Sequence, residues 1–186
     1  MADDNVTESD SGFQGAQILV LVIPDKDYKT KWMEVVKQLS NLDGKICYIS
    51  LNVPYETLIK SFKMLGIDAS KFYFVDAITQ TAQMSPETEN CEFVSSPGAL
   101  TELSLSISNI LDRKGFNYVI FDSLSTLLVY ESEITVTKFV HQLISKIRII
   151  GSKAIFSILK QDTSSVLLRD INMFADRILD IENWHN

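Results

Sequence analysis

The sequence predicts a three-layer α/β/α fold, a mainly parallel sheet flanked by helices. Three observations predict it. Short apolar runs alternate with amphipathic stretches from residue 17 to residue 181. The first run, Gln17–Ile23, is apolar at every position after Gln17, as a strand buried on both faces requires. The connections are short or helical, and a helical crossover returns the chain to a parallel neighbour with helices on the sheet faces.

Each element has its own signal. Pro24 ends the first strand. A helix follows from about Lys29 to Ser40, because Trp32, Val35, Val36 and Leu39 recur on one helical face. Asn41 to Gly44 is a turn, and Lys45–Leu51 is the second strand. Pro54 and Thr57 open a second helix with Leu58, Phe62 and Leu65 on one side, and Gly66 closes it as a C-cap. Lys71–Val75 is a short strand ending at Asp76, which reads as a turn residue. The stretch from Thr79 to Ser95 is polar and irregular, with Glu92–Val94 readable as a short strand. Ser96 and Pro97 supply a capping residue and a first-turn proline for a helix running to about Lys114. Leu100, Leu103, Ile107, Ile110 and Leu111 form its buried side, and Gly115 stops it.

Tyr118–Asp122 is an apolar strand ending in a carboxylate, followed by a short helical turn. A further helix covers about Glu133 to Ile149, with Val136, Phe139, Val140, Leu143, Ile144 and Ile147 as its core stripe. His141 falls off that stripe and is expected at the surface. Gly151 ends the helix, Lys153–Leu159 is the next strand, Ser164–Phe174 the next helix, and Asp176–Ile181 the last strand. Neither a repeat nor a linker interrupts residues 16–186, which are expected to form one domain.

Composition bounds the function. Of the 186 residues, 46% are hydrophobic, enough for one core without disulfides. The net charge is −7, and four of those charges lie in the first fifteen residues, at Asp3, Asp4, Glu8 and Asp10. Residues 1–15 read as a disordered acidic tail. The acidic balance argues against a broad nucleic-acid surface. Lys26, Lys29, Lys31 and Lys37 cluster in sequence and read as the solvated face of a helix. Cys47 and Cys91 make neither a metal motif nor a disulfide framework, and Cys47 reads as a small core residue. With only His141 and His185 besides, no zinc site is expected. An acidic N-terminus without a hydrophobic stretch lacks a secretory signal, and apolar runs such as Ile18–Ile23 are too short to cross a bilayer. A cytoplasmic location without membrane insertion is the expectation.

In open α/β sheets, ligands bind beyond the carboxyl ends of the strands. Three loops leave those ends: Ile23–Thr30, Asp122–Ser123 and Lys160–Gln161. Strand, loop, Lys29-Thr30 and helix form the frame of a phosphate-binding loop, which carries a glycine, four residues, a second glycine, then Lys and Ser or Thr. Setting Lys29 and Thr30 on the last pair puts Tyr28 at the second glycine and Ile23 at the first. The spacing is kept and both glycines are replaced. Such a loop wraps backbone N–H groups round phosphate oxygens, and a side chain forced into left-handed geometry there costs about 1–2 kcal/mol. Asp25 and Asp27 would also face a polyanion with like charge. Lys29 and the helix N-terminus still attract phosphate.

From Gln17 to Ile181 the order of these motifs resembles the RecA/KaiC-like P-loop ATPases, in particular their archaeal KaiC-like branch. Tyr118–Ser125 is similar to the Walker B strand of that family, whose aspartate helps hold Mg²⁺ through water. Asp122 takes that place, followed by Ser123. Lys146–Ser157 is similar to the family's helix-glycine-strand passage, and Ala175–Ile181 to its closing strand. The resemblance implies a RecA-like sheet and a nucleotide site at Lys29, Thr30, Asp122 and Ser123, with Asp122 as the Mg²⁺ residue. Gln161 stands where relatives place a polar sensor. The family also carries an acidic pair after the second strand, one member of which activates the attacking water. Here Asn52 and Val53 stand there, and neither can act as a general base.

Two altered parts, the phosphate cradle and the water activator, make hydrolysis an unexpected activity. The sequence therefore points to a non-catalytic RecA/KaiC-like domain that regulates or scaffolds through a protein partner or self-association, with no required cofactor. The alternative is a weak ATP/ADP binder using Lys29, Thr30 and Asp122 with Mg²⁺. Nucleic-acid binding is the least favoured class. Local readings stand beside these: Asp122, Ser123 or Ser125 as the cap of the next helical turn, Lys29-Thr30 as an exposed first turn, and Gln161 as a solvated amide.

Overall fold

The computed structural model describes residues 15–164 and 166–183. The acidic tail expected over residues 1–15 lies outside them but for Gly15, and His185 lies outside them too. The strands are β1 (Ile18–Ile23), β2 (Ile46–Ser50), β3 (Phe72–Asp76), β4 (Cys91–Phe93), β5 (Tyr118–Asp122), β6 (Lys153–Leu159) and β7 (Arg177–Asp180). The helices are α1 (Tyr28–Ser40), α2 (Tyr55–Leu65), α3 (Leu100–Lys114), α4 (Leu124–Tyr130), α5 (Glu133–Ile150) and α6 (Val166–Ile171).

The strands form one seven-stranded sheet in the order β4-β3-β2-β5-β6-β1-β7. Every pairing in it is parallel. The alternation of side chains along each strand divides the core in two. Ile18, Val20 and Val22 face a layer built from α3, α4, α5 and α6. Leu19, Leu21 and Ile23 face α1 and α2, where Trp32, Val35, Val36, Leu39, Leu58 and Phe62 are buried. This is the three-layer arrangement expected from the sequence. Because β1 is wholly buried on both faces, its sequence shows no polar alternation.

The helical stripes fall where the 3.6-residue period puts them. All six stripe residues of α5 are buried, and His141 is exposed, its ring 4.4 Å from that of Phe174. Gly66 ends α2 at φ 69°, and its N–H reaches the carbonyls of Phe62 and Lys63. Cys47 is buried, as expected.

Three local expectations need correction. Leu65, expected on the buried side of α2, is 38% exposed, because Phe62 and Leu58 already fill the space over β2 and β3. The helix expected from Pro97 starts at Leu100, and Ser96 does not cap it with its side chain. Its carbonyl instead closes a turn to the Ala99 N–H, while Glu102 reaches back to accept from the N–H and hydroxyl of Ser95. The helix expected over Ser164–Phe174 is shorter, a 3-10 segment Lys160–Ser164 followed by α6. Among the described residues, no helix is long and apolar enough to cross a membrane.

The strand order decides where a site can form. From β1 the chain crosses to β2, goes outward to β3 and β4, then returns to insert β5 and β6 between β2 and β1. The carboxyl ends of β2, β5, β6 and β1 are therefore neighbours at the middle of the sheet, where the direction of winding reverses.

Candidate functional site

Each of those four central strands delivers a polar residue to one cluster, with Asp122 at its centre. Asp122 ends β5 and is 1% exposed. The Tyr28 hydroxyl, on the first residue of α1, donates to its Oδ1 at 2.5 Å. The Tyr48 hydroxyl, from β2, donates to Oδ2 at 2.7 Å. The Asn52 amide, just beyond β2, donates to Oδ1 at 2.9 Å. Ser157 of β6 lies 2.7 Å from the Tyr28 hydroxyl. Around these, Trp32 donates to the Tyr48 hydroxyl at 2.9 Å, and Thr126 donates to the Asn52 carbonyl.

The sequence folds this way for local reasons. Pro24 leaves β1 in an extended conformation and accepts from the Asp27 N–H, forming a short 3-10 turn over Asp25–Asp27. Pro24, Asp27 and Tyr28 have φ of −60°, −111° and −47°. The chain thus enters α1 without a left-handed step at those positions, where an anion nest alternates right- and left-handed residues. That entry points the Tyr28 ring down the end of the sheet, nearly parallel to Trp32 one turn later, with ring centres 6.5 Å apart. Trp32 in turn fixes Tyr48. An aromatic ladder therefore carries two phenols onto one carboxylate.

Burial governs the electrostatics. Loss of water pushes the Asp122 carboxyl above its ordinary value of 3.8, and the donors from Tyr28, Tyr48 and Asn52 act against that rise. Burial, followed by the neighbouring Asp122 charge, holds both phenols well above the ordinary 10.0. A hydrogen-bonded carboxylate between two phenols is the arrangement in which each group's burial is compensated by the other.

The other residues singled out in the sequence are placed as follows. Lys29 and Thr30 are exposed on the first turn of α1. Lys29 and Ser123 border the same cleft as Asp122, whereas Thr30 is not among its lining residues. Ser123, joined to Asp122 through a cis peptide bond, caps α4 by accepting from the Thr126 N–H. Ser125 accepts from the Leu159 N–H and so ties α4 to the end of β6. Of the local readings, then, the cap role belongs to Ser123 and not to Asp122. Gln161 is exposed at the rim of the cleft. Asp76 is fully buried and accepts from the N–H groups of Tyr55, Ile78 and Thr79, a turn residue as expected.

Sequence reasoning missed the partners of Asp122. Tyr28 was visible as the occupant of a glycine position, but its reach to β5 was not. Tyr48 looked like one more apolar strand residue, and Trp32 like one more member of a helical stripe. The available signal was Tyr48, a hydroxyl-bearing aromatic in an otherwise apolar strand, and Trp32, an N–H-bearing aromatic on a buried helical stripe, since such groups find a partner when buried.

Beside the cluster lies a cleft of about 740 Å³, between the start of α1, the segment after β2, and α4. Leu51, Val53, Leu58, Leu128 and Val129 are among its apolar walls.

A family model described as "ATPase: KaiC" matches residues 35–175, well over half of the chain and beginning downstream of Lys29 and Thr30. No curated protein matches the sequence. Among solved structures, the chain is similar to a KaiC-like protein from the hyperthermophilic archaeon Pyrococcus horikoshii. The TM-score is 0.65 at 12% identity, over 96% of this chain and 79% of the other. At that identity the likeness concerns the fold.

Proposed function

This chain belongs to the KaiC ATPase family, and from that premise we propose that it is a non-hydrolysing member acting as a regulatory or scaffolding protein-interaction domain. The observation that carries the reading is the Tyr28 hydroxyl seated on Asp122. Asp122 stands where relatives hold Mg²⁺, yet its carboxylate already accepts from Tyr28, Tyr48 and Asn52 and is screened from water. Both of its oxygens are thus engaged, Oδ1 by two donors and Oδ2 by one, in a place closed to the water that would bridge a cation. The residues present do not fit Mg²⁺ as they are arranged, and no catalytic step is derived through it.

Two further features support the same reading. The loop before α1 enters the helix directly, so its N–H groups have no left-handed residue at Pro24, Asp27 or Tyr28 to turn them onto a phosphate. Asn52, where a water-activating carboxylate is expected, is engaged as a donor to Asp122 and Ser123. For the interaction role, Val129 and Ile134 expose 81% and 69% of their surface on neighbouring helices, α4 and α5.

A second reading, a weak ATP or ADP binder using Lys29, Thr30 and Asp122, is favoured by one observation: Lys29 and Ser123 share a cleft with Asp122. Phosphate release by the purified chain separates the two from an active enzyme. Recovery of a stoichiometric partner or a concentration-dependent oligomer, unchanged by ATP, supports the interaction role. ATP-driven turnover abolished by Asp122→Asn contradicts it.

A further inference from the structure

The cleft beside the Asp122 cluster combines three properties. Its volume of about 740 Å³ is within the range of small-molecule pockets. Its walls are mainly apolar, contributed by Met33, Leu51, Val53, Leu58, Leu128 and Val129. Its polar floor is already paired: Asn52 is held by Asp122, Ser123 and Thr126, and the Tyr28 hydroxyl by Asp122 and Ser157. A ligand that reached the floor with a charged group would meet no uncommitted partner there.

The charges round the cleft point the same way. Lys29 is its one cation among the lining residues, against carboxylates at Asp25, Asp162 and Asp122. A polyanion meets net repulsion in such a setting. What the rim does offer is the Gln161 side chain, an amide with both donor and acceptor capacity. At the inner wall the half-buried Tyr28 ring covers Trp32, which is only 2% exposed, at an interplanar angle of 22°.

We infer that this cleft is a binding site for an uncharged, mainly apolar small molecule with a polar heteroatom at one end. Its apolar body lies against the aliphatic residues of α4 and the segment after β2. Its heteroatom meets the Gln161 amide at the mouth. The inference rests on the proposed function only in taking Tyr28 to keep Asp122 covered.

Nile red, an uncharged aromatic dye, tests it with the full chain. The chain has two tryptophans, so Trp184→Phe leaves Trp32 as the sole reporter inside the cleft. The expected result is saturable one-to-one binding, with blue-shifted dye emission and quenching of Trp32. Val53→Arg and Val129→Arg each put a charge on the apolar wall and weaken the dye by about tenfold or more. Val129 is 81% exposed, so its variant keeps the fold even where Val53→Arg does not. Non-saturable binding, or binding indifferent to Val129→Arg, overturns the inference. So does displacement of the dye by equimolar ATP with an affinity that Lys29→Ala removes, and that outcome alone also counts against the proposed function. Loss of dye binding without ATP binding leaves the proposed function standing.

Discussion

The hydroxyl of Tyr28 donates to Oδ1 of Asp122 at 2.5 Å across 94 residues of sequence. That bond joins the segment after β1 to the end of β5, the two places between which the relatives of this chain are expected to hold phosphate and metal. A tyrosine where a glycine belongs thus does more than obstruct. It supplies a donor to the carboxylate and makes the covered state of Asp122 the satisfied one.

Removing that donor should destabilise the fold without exposing a working site. Tyr28→Phe leaves Asp122 with the Tyr48 and Asn52 donors and is expected to cost about 1–3 kcal/mol, the range for a broken hydrogen bond to a buried group. A double-mutant cycle with Asp122→Asn, read by urea unfolding, should give a coupling of about 0.5–3 kcal/mol. Strict additivity would show that the two side chains do not depend on one another.

Asn52→Asp tests the electrostatics with almost no change of shape. The new carboxylate faces Oδ1 of Asp122, where the Asn52 amide now donates at 2.9 Å. A carboxylate at the exposed position 52, beside the buried Asp122, is a like charge that raises the folded pKa of Asp122 further. A raised folded pKa contributes stability that is whole below the unfolded carboxylate value and is lost as pH climbs through the folded values. The variant should therefore approach the parent in stability at acidic pH and fall behind it by about 1–3 kcal/mol near neutrality. Equal urea midpoints at both pH values would count against the placement of Asn52.

The phenols give an alkaline counterpart. Tyr28 and Tyr48 are both raised well above the ordinary 10.0, so the stability linked to them is complete below that pH and declines as pH rises from there through the raised values. In a tyrosinate absorbance titration, both should stay protonated above the ordinary phenol value and release their protons only with unfolding. Tyr28→Phe and Tyr48→Phe should each remove one late-titrating group. A single transition for all six tyrosines of the chain would contradict the cluster.

Gly44 tests the opposite end of the central strands, just before β2. It sits at φ 120°, and an added Cβ would collide with the side chain of Asn117, whose Oδ1 accepts from the Lys45 N–H. Gly44→Ala should cost about 1–3 kcal/mol, through strain and the disturbed contact together. It should leave the behaviour of the Asp122 cluster unchanged.

Periodicity made the layers legible. The stripe Val136 to Ile147 and the unbroken run Ile18–Ile23 named their own partners, because burial on one or both faces writes itself into the pattern of apolar residues. The start of α3 was misread for the same reason in reverse. Ser96 and Pro97 are locally suited to open a helix, but the reach of Glu102 back to Ser95, seven residues earlier, holds that segment as a turn. At the candidate site, Asp122 and the altered loop were visible as positions in a motif. The ladder Trp32, Tyr48, Tyr28 was not, since it joins residues from α1 and β2 through side-chain direction, which spacing along one element does not encode.

The most direct test is a calorimetric titration of the purified chain with ATP, in Mg²⁺ and in chelator, followed by the same titration of Tyr28→Gly. Covered by Tyr28, Asp122 should leave the native chain without a Mg²⁺-dependent heat at millimolar nucleotide. Saturable Mg²⁺-dependent binding of ATP to the native chain, abolished by Asp122→Asn, would mean that Tyr28 yields its place and that the account is wrong.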